Sequence, residues 1–222
     1  MDSTDLTFKA EINLYYDLHI PDGAKNAPLL IAVHGYGAHK RYMMREARAV
    51  APDDFVVASV QGPHQHFRQT ADGGYRIGFG WLTEHKPEEY VRLHHDFLLH
   101  VLEYVVDAGA ADPSRVYLYG FSQACALNFR FALTHPEIAR GVIGVCGGIP
   151  GDLDTNPIYK PFDAKTFYIY GDDDEFYTQE KFAHFDAKLR SLLPNYRSKQ
   201  YEAKHEITDA MRGDIREFLN ES

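Results

Sequence analysis

Ser122 lies at the junction between an apolar run, residues 116–119, and a helix-forming segment that begins at Gln123. Gly120 and Ala124 stand two positions before it and two positions after it. A serine held in a tight strand-to-helix turn has a strained backbone and an exposed hydroxyl, and small residues are needed where the strand and the helix approach each other. The same pattern also fits a serine that caps a helix, so a nucleophile is predicted only if a base and an acid accompany it.

An acid and a histidine follow Ser122 at the places where a catalytic triad requires them. The base must reach the serine hydroxyl and the carboxylate must orient the base, in the chain order serine, acid, histidine. Four adjacent acids follow Gly171, and the tight turn after that glycine favours Asp174, with Asp172 as the alternative. His205 follows the last predicted strand and precedes the C-terminal helix. Each residue alone is also consistent with a solvated surface side chain, but their coincidence predicts a triad of Ser122, Asp174 and His205.

Two backbone amides are predicted to bind the oxyanion that forms when such a serine attacks a carbonyl group. One donor belongs to the residue after the nucleophile, Gln123, and the other to the loop after an early buried strand. That loop reads His34-Gly-Tyr-Gly37, whose glycines let the backbone turn in closely, and its donor is assigned to Tyr36. We expect His34 to support this loop and to take no part in catalysis or metal binding.

The elements that must position these residues alternate between short β-rich runs and longer helical segments. This alternation is typical of an α/β fold in which a mostly parallel central sheet is flanked by helices on both faces. Strands are predicted at residues 11–19 (an antiparallel edge strand), 29–33, 55–60, 116–119, 141–146, 167–170 and 198–201. Helices are predicted at residues 88–108, 123–134, 180–193 and 209–219. The length of 222 residues predicts a single domain over residues 1–222.

The overall charge and the apolar runs exclude several classes of partner. A net charge of −9 without any basic run argues against binding to DNA or RNA. Residues 1–10 lack the features of a secretory signal, and the longest apolar runs are far too short to cross a bilayer. We therefore expect a cytoplasmic protein without stable membrane insertion. Cys125 and Cys146 lie in apolar stretches, which predicts buried free thiols and not a disulfide.

Residues 61–86 form a long segment that is rich in aromatic residues, glycine and histidine and lacks clear periodicity. Loops of this length in compact domains are usually functional or disordered, and the aromatic content argues against complete disorder. We predict that this segment helps to wall a substrate pocket; the same aromatics would also suit packing of the segment against the body of the protein. The predicted apolar pocket residues, suited to an acyl or aromatic group, are Tyr75, Phe79, Trp81, Ile149 and Phe176.

Taken together, these segments resemble the phospholipase/carboxylesterase family of α/β-hydrolases, which includes acyl-protein thioesterases. The resemblance rests on His34-Gly-Tyr-Gly37, Gly120-Phe-Ser-Gln-Ala124, Gly171-Asp-Asp-Asp174 and His205. Ala124-Cys125 departs from the family's usual Gly-Gly at these positions and leaves the triad intact. The resemblance implies the α/β-hydrolase fold and hydrolysis of a small-molecule ester or thioester without a metal or an organic cofactor. It also supports Asp174 over its acidic neighbours.

The predicted function is that of a serine carboxylesterase with an acyl-enzyme intermediate. The alternatives are an acyl thioesterase or lysophospholipase that uses the same triad, and a catalytically silent hydrolase fold that acts as a binding module. A dienelactone-hydrolase-like enzyme would carry cysteine where this chain has Ser122. A metal-dependent hydrolase is suggested by a group of four residues on one helix, but this helix also supplies core positions, so surface or interface histidines are the favoured interpretation. The group consists of His94, His95, Asp96 and His100.

Overall fold

The computed structural model describes residues 3–221, which contain nine strands and five helices. The strands are β1 (Tyr16–His19), β2 (Ala27–Val33), β3 (Val56–Val60), β4 (His64–Gln69), β5 (Tyr75–Gly80), β6 (Ala111–Phe121), β7 (Ala139–Val145), β8 (Lys165–Gly171) and β9 (Tyr196–Tyr201). The helices are α1 (Lys40–Val50), α2 (Pro87–Asp107), α3 (Gln123–Thr134), α4 (Gln179–Leu192) and α5 (Asp209–Asn220). None of these five helices combines the length and the apolar character that a membrane crossing requires.

Seven strands form one sheet in the order β1-β3-β2-β6-β7-β8-β9, and every pairing in it is parallel except that of β1 with β3. A central strand of such a sheet is covered on both faces and is therefore apolar throughout. All seven residues of β2 are accordingly buried. The prediction of a mostly parallel sheet with helices on both faces is confirmed.

Successive side chains of β2 point to opposite faces of the sheet and enter two separate cores. Leu29 and Ile31 belong to the core that contains buried residues of α2, α3 and α4, whereas Leu30 belongs to the core formed with α1 and α5. Cys125 and Cys146 are buried free thiols, one in each core, as predicted. Because β2, β6, β8 and β9 run parallel, the loops that follow them meet at one edge of the sheet, where the predicted site residues lie.

Two elements at the edge of the sheet differ from the prediction. Helix α1 is absent from the predicted helices, although Met43, Ala47 and Val50 recur at helical spacing and form its buried face. The predicted edge strand over residues 11–19 shortens to β1, and residues 11–15 belong to no strand.

The segment 61–86 is also more regular than its sequence indicates. It contains the antiparallel hairpin of β4 and β5. The hairpin turn includes Gly73, which has a positive φ of 81°, and it is closed by a hydrogen bond from the Thr70 amide to the Gly74 carbonyl (2.8 Å). Glycine is suited to this position because it adopts positive φ without strain.

Candidate active site

The predicted nucleophile lies where β6 runs into α3. Ser122 has φ 56° and ψ −120°, a conformation that a residue other than glycine adopts only under strain. Its amide donates a hydrogen bond to the Val145 carbonyl (2.8 Å), which fixes the turn against β7. A Cβ on Gly120 would lie 2.8 Å from the Asn128 side-chain nitrogen and 3.1 Å from the Ala124 backbone carbonyl. The close approach of strand and helix therefore requires glycine at position 120.

Ser122, His205 and Asp174 form a continuous chain of hydrogen bonds. His205 Nε2 lies 2.9 Å from Ser122 Oγ, and His205 Nδ1 lies 2.8 Å from Asp174 Oδ2. The Asp174 side chain is fully buried, and its Oδ1 accepts hydrogen bonds from the amides of Phe176 (2.8 Å) and Tyr177 (3.0 Å). Because the carboxylate accepts at Nδ1, the imidazole carries its proton there and presents Nε2 as an acceptor to the serine hydroxyl.

Two neighbouring acids of the same turn, Asp172 and Glu175, bind the backbone. Asp172 Oδ1 accepts a hydrogen bond from the Ala203 amide (3.1 Å), so this alternative acid is engaged away from the imidazole ring. Glu175 Oε2 accepts a hydrogen bond from the His205 amide (3.1 Å), a contact that no sequence signal identifies. Hydrogen bonds from the amides of Glu175 itself and of His205 lower the pKa of the Glu175 carboxyl. Asp174 holds the ring of His205, and Glu175 holds its backbone.

The two predicted oxyanion donors have no competing partner. Among residues 3–221, neither the Tyr36 amide nor the Gln123 amide forms a hydrogen bond. Gly35 allows the loop after β2 to approach the nucleophile, since a Cβ there would lie 2.9 Å from the Ser122 Cβ. Gly37, with a φ of 76°, donates its amide to a carbonyl of β5 (2.8 Å) and holds the loop in place.

The loop of residues 34–37, which carries the Tyr36 amide, is called the oxyanion loop. His34 supports this loop from within the protein. Its Nδ1 donates to the Gly35 carbonyl (2.7 Å), and its Nε2 accepts from the Gly62 amide (2.9 Å). Burial lowers the pKa of His34 to about 4, so the ring is neutral at pH 7. This arrangement agrees with the structural role expected for His34.

The side chain of Gln123 positions the start of α3, a contact that the sequence did not single out. Its Oε1 accepts from the Trp81 amide (2.9 Å) and its Nε2 donates to the Leu82 carbonyl (3.1 Å). The amide group thereby satisfies two backbone groups in the link between β5 and α2. It ties the residue that carries a predicted oxyanion donor to the segment beside it.

A cleft of about 760 Å³ opens beside Ser122. Its size is within the usual range for small-molecule sites. The oxyanion loop, the start of α1, β4 and the loops after β8 and β9 contribute to its walls. Aromatic and basic side chains are prominent among the lining residues, which include Tyr36, His39, Tyr42, Arg45, Arg68 and Phe176.

Of the five predicted pocket residues, Phe176 alone lines this cleft. Its ring is exposed and lies 4.7 Å from the His205 ring in an edge contact. Trp81 does not line it, because it is only 1% exposed and its indole N–H donates to the His34 carbonyl (3.0 Å) inside the core.

The remaining three predicted pocket residues also lie outside the cleft. Tyr75 is exposed at the start of β5 and contacts Phe67 across the hairpin. Phe79 exchanges backbone hydrogen bonds with the oxyanion loop, and Ile149 packs against the core. The segment 61–86 therefore supports the oxyanion loop and contributes Arg68 to the cleft, and its aromatics do not form the predicted apolar wall.

The interpretation of the α2 histidines as surface residues is wrong for two of them. His94 and His95 are 1% and 7% exposed, and their rings contact Trp81 and Phe131 in edge geometry. Burial lowers the pKa of both imidazoles, to about 4 for His95, which keeps them neutral at pH 7. Within residues 3–221, no three His, Cys, Asp or Glu side chains are arranged to hold a metal ion.

A family model described as phospholipase/carboxylesterase matches residues 19–222. The chain belongs to this family. A curated relative, "Putative esterase NocK" from Nocardia uniformis subsp. tsuyamanensis, is 27% identical to this chain over 175 residues. The match covers 72% of this chain and 44% of the relative, so the chain spans less than half the length of that protein.

Solved structures of esterases share the fold of this phospholipase/carboxylesterase family member. A carboxylesterase from Mesorhizobium loti has a TM-score of 0.73 at 19% identity, with 94% of this chain and 95% of that chain covered. The Bacillus cereus carboxylesterase has a TM-score of 0.70 at 15% identity, with 94% of each chain covered. Acyl-protein thioesterase 2 from Zea mays has a TM-score of 0.67 at 14% identity, with 93% and 98% covered. At these identities the likeness establishes the α/β-hydrolase fold.

Proposed function

We propose that the protein is a serine carboxylesterase that hydrolyses small-molecule acyl esters through Ser122, His205 and Asp174. The observation that carries the proposal is the unbroken chain from Ser122 Oγ through both ring nitrogens of His205 to the buried Asp174 carboxylate, with distances of 2.9 and 2.8 Å. A serine hydroxyl is a weak nucleophile until an adjacent base can remove its proton. Membership of the phospholipase/carboxylesterase family supports the same reaction class.

In the first half-reaction, Ser122 Oγ attacks the ester carbonyl while His205 Nε2 takes the hydroxyl proton. The tetrahedral intermediate collapses when the C–O bond to the alcohol breaks, and His205 returns the proton to the leaving alkoxide. In the second half-reaction, His205 removes a proton from water, the hydroxide attacks the acyl-enzyme, and Ser122 leaves with that proton. Asp174 keeps the Nδ1 proton in place and stabilises the imidazolium that forms in both steps.

The amides of Tyr36 and Gln123 are proposed to bind the oxyanion in each tetrahedral intermediate. Preorganised donors of this kind cost no reorganisation when charge develops, and removal of one typically slows the reaction by about 10² to 10³. Both amides lack another partner within residues 3–221, which supports this assignment. Gln123 also opens α3, so the positive end of the helix dipole faces the same charge.

Hydrolysis of 4-nitrophenyl butyrate by the purified protein and by Ser122→Ala tests the proposal. We expect the substitution to lower kcat/KM by about 10⁴ or more, because the nucleophile is lost while the fold is retained. Ser191→Ala is the matched control, since Ser191 is an exposed serine on α4 whose hydroxyl bonds only within its own helix. Turnover by Ser122→Ala at a rate close to that of the unaltered protein would disprove the assignment.

A further inference from the structure

Two arginines in the cleft beside Ser122 have no acidic partner. Arg45 on α1 and Arg68 on β4 both line the cleft, and neither side chain forms an ion pair or a hydrogen bond within residues 3–221. They are the two arginines that line the cleft. Five other arginines bind carboxylates: Arg115, Arg130, Arg190, Arg197 and Arg212.

Each of the two unpaired side chains has a contact with another residue of the cleft. The stem of Arg68 lies over Gly37, since a Cβ on that glycine would be 3.3 Å from Arg68 Cδ. Gly37 directly follows Tyr36, whose amide is a proposed oxyanion donor. On the other wall, the guanidinium carbon of Arg45 lies 5.9 Å from the ring centre of Tyr42. A guanidinium over an aromatic face is held by a cation–π contact and keeps its donors free.

The two charges act on the same region of the cleft. His39, another lining residue, caps α1 by accepting a hydrogen bond from the Tyr42 amide. Burial lowers the pKa of His39, and the nearby positive charges, including those of Arg45 and Arg68, lower it further. His39 is therefore neutral at pH 7 and adds no competing charge. The one carboxylate on the cleft wall within residues 3–221 is Glu206.

We propose that Arg45 and Arg68 form an anion subsite, and that the preferred substrates are esters that carry a carboxylate or phosphate group besides the scissile bond. The inference deepens the proposed function, because it assigns a substrate class to the same cleft. A guanidinium offers a planar set of donors that matches carboxylate and phosphate oxygens, and these two need break no existing ion pair to bind. The cleft volume of about 760 Å³ leaves room for such a group beside a small acyl chain.

Paired esters that differ only in charge provide the test. The first pair, 4-nitrophenyl hydrogen adipate and 4-nitrophenyl methyl adipate, places the charge on the acyl side. The second pair, 4-acetoxybenzoate and methyl 4-acetoxybenzoate, places it on the alcohol side. In at least one of the two pairs, we expect kcat/KM for the anionic ester to exceed that for the neutral ester by about tenfold at low salt, equivalent to about 1.4 kcal/mol. The preference should shrink at 0.5 M salt because exposed charges are screened.

Arg45→Met, Arg68→Met and the double variant connect this preference to the two side chains. Each single change should reduce the anionic preference about threefold, and the double change should abolish it. The kcat/KM for the neutral esters should stay within about twofold of the unaltered protein. Arg92→Met is the matched control: Arg92 is exposed on α2, outside this cleft, and its loss makes the same change in net charge.

The outcomes separate this inference from the proposed function. Equal turnover of neutral and anionic esters, or a preference that survives the double substitution, would overturn the anion subsite while the esterase proposal stands. An equal loss in Arg92→Met would assign the effect to net charge and would also overturn it. Failure of the unaltered protein to hydrolyse either neutral ester, in contrast, would count against the proposed function itself.

Discussion

The substitution Asp174→Asn distinguishes two roles of Asp174, which are to orient the His205 imidazole and to stabilise the fold. Asp174 Oδ1 accepts from two amides, at 2.8 and 3.0 Å, and Oδ2 faces His205 Nδ1 at 2.8 Å. Asparagine retains an oxygen for the two amides but places an N–H₂ group opposite Nδ1. The imidazole must then accept at Nδ1 and carry its proton at Nε2, where it can no longer take the proton of Ser122. We expect kcat/KM for 4-nitrophenyl butyrate to fall by about 10⁴.

The same substitution should leave the free energy of unfolding within about 1 kcal/mol of the original value, because both amides keep an acceptor. Asp174→Ala provides the contrast, since it removes two hydrogen bonds that a carboxylate accepts from the amides of Phe176 and Tyr177, at about 1–3 kcal/mol each. Urea denaturation should therefore show Asp174→Ala destabilised by at least about 2 kcal/mol. Both variants should be equally inactive although their stabilities differ.

Asp172→Asn is the matched control for the choice among the adjacent acids. Its oxygen can still accept from the Ala203 amide, so activity should remain within about threefold of the original. If Asp174→Asn retained more than about a tenth of the activity, Asp174 would not be the acid that orients His205. The same conclusion would follow if Asp172→Asn were as inactive as Asp174→Asn.

Two further substitutions test the packing of the turn between β6 and α3 and the cost of a buried imidazole. Gly120→Ala should lower the free energy of unfolding by about 2 kcal/mol in urea, because its Cβ would lie 2.8 Å from a buried side chain and 3.1 Å from backbone. His95→Phe should reduce the loss in the free energy of unfolding that the protein shows as the pH falls. The unfolded chain binds the His95 proton near pH 6.5 and the folded protein only near pH 4, so stability falls by about 3 kcal/mol as the pH drops through that window.

Matched changes at open positions serve as controls for these two variants. Gly213→Ala lies in α5, where an added Cβ meets nothing within 4 Å, and should raise stability by up to about 1 kcal/mol. A Gly120→Ala protein as stable as the original would show that the turn between β6 and α3 can expand to accept a Cβ at position 120. His184→Asn, at an exposed position on α4, should preserve the acid dependence. If the free energy of unfolding of His95→Phe depended on pH as strongly as that of the original protein, His95 would not be held neutral by burial.

The positions of the site residues could be predicted because they follow from strand ends. Ser122, Asp174 and His205 come after β6, β8 and β9, and parallel strands bring their carboxyl ends to one edge of the sheet. The selection of Asp174 over Asp172 depends on which carboxylate the amides of the following residues bind. That choice is a property of the folded turn, and the residue pattern alone left both acids open.

The cleft walls depend on contacts between distant segments, and for this reason they could not be predicted. Trp81 has the character of a pocket residue, yet a hydrogen bond to the His34 carbonyl, 47 positions away, fixes it in the core. Arg68 belongs to a strand of mostly polar residues without an apolar alternation, and its place in the cleft follows from pairing of β5 with the oxyanion loop. Helix α1 was not predicted because basic residues surround its apolar positions and obscure the helical spacing in the sequence.

Labelling with a fluorophosphonate probe, followed by peptide mass mapping, shows directly whether Ser122 is the activated nucleophile. The probe phosphonylates a serine only where a base and an oxyanion site activate it. We expect a single adduct on Ser122 that is absent from Ser122→Ala and strongly reduced in Asp174→Asn. If a folded protein that hydrolyses 4-nitrophenyl butyrate carried its adduct on another residue, or carried none, Ser122 would not be the nucleophile.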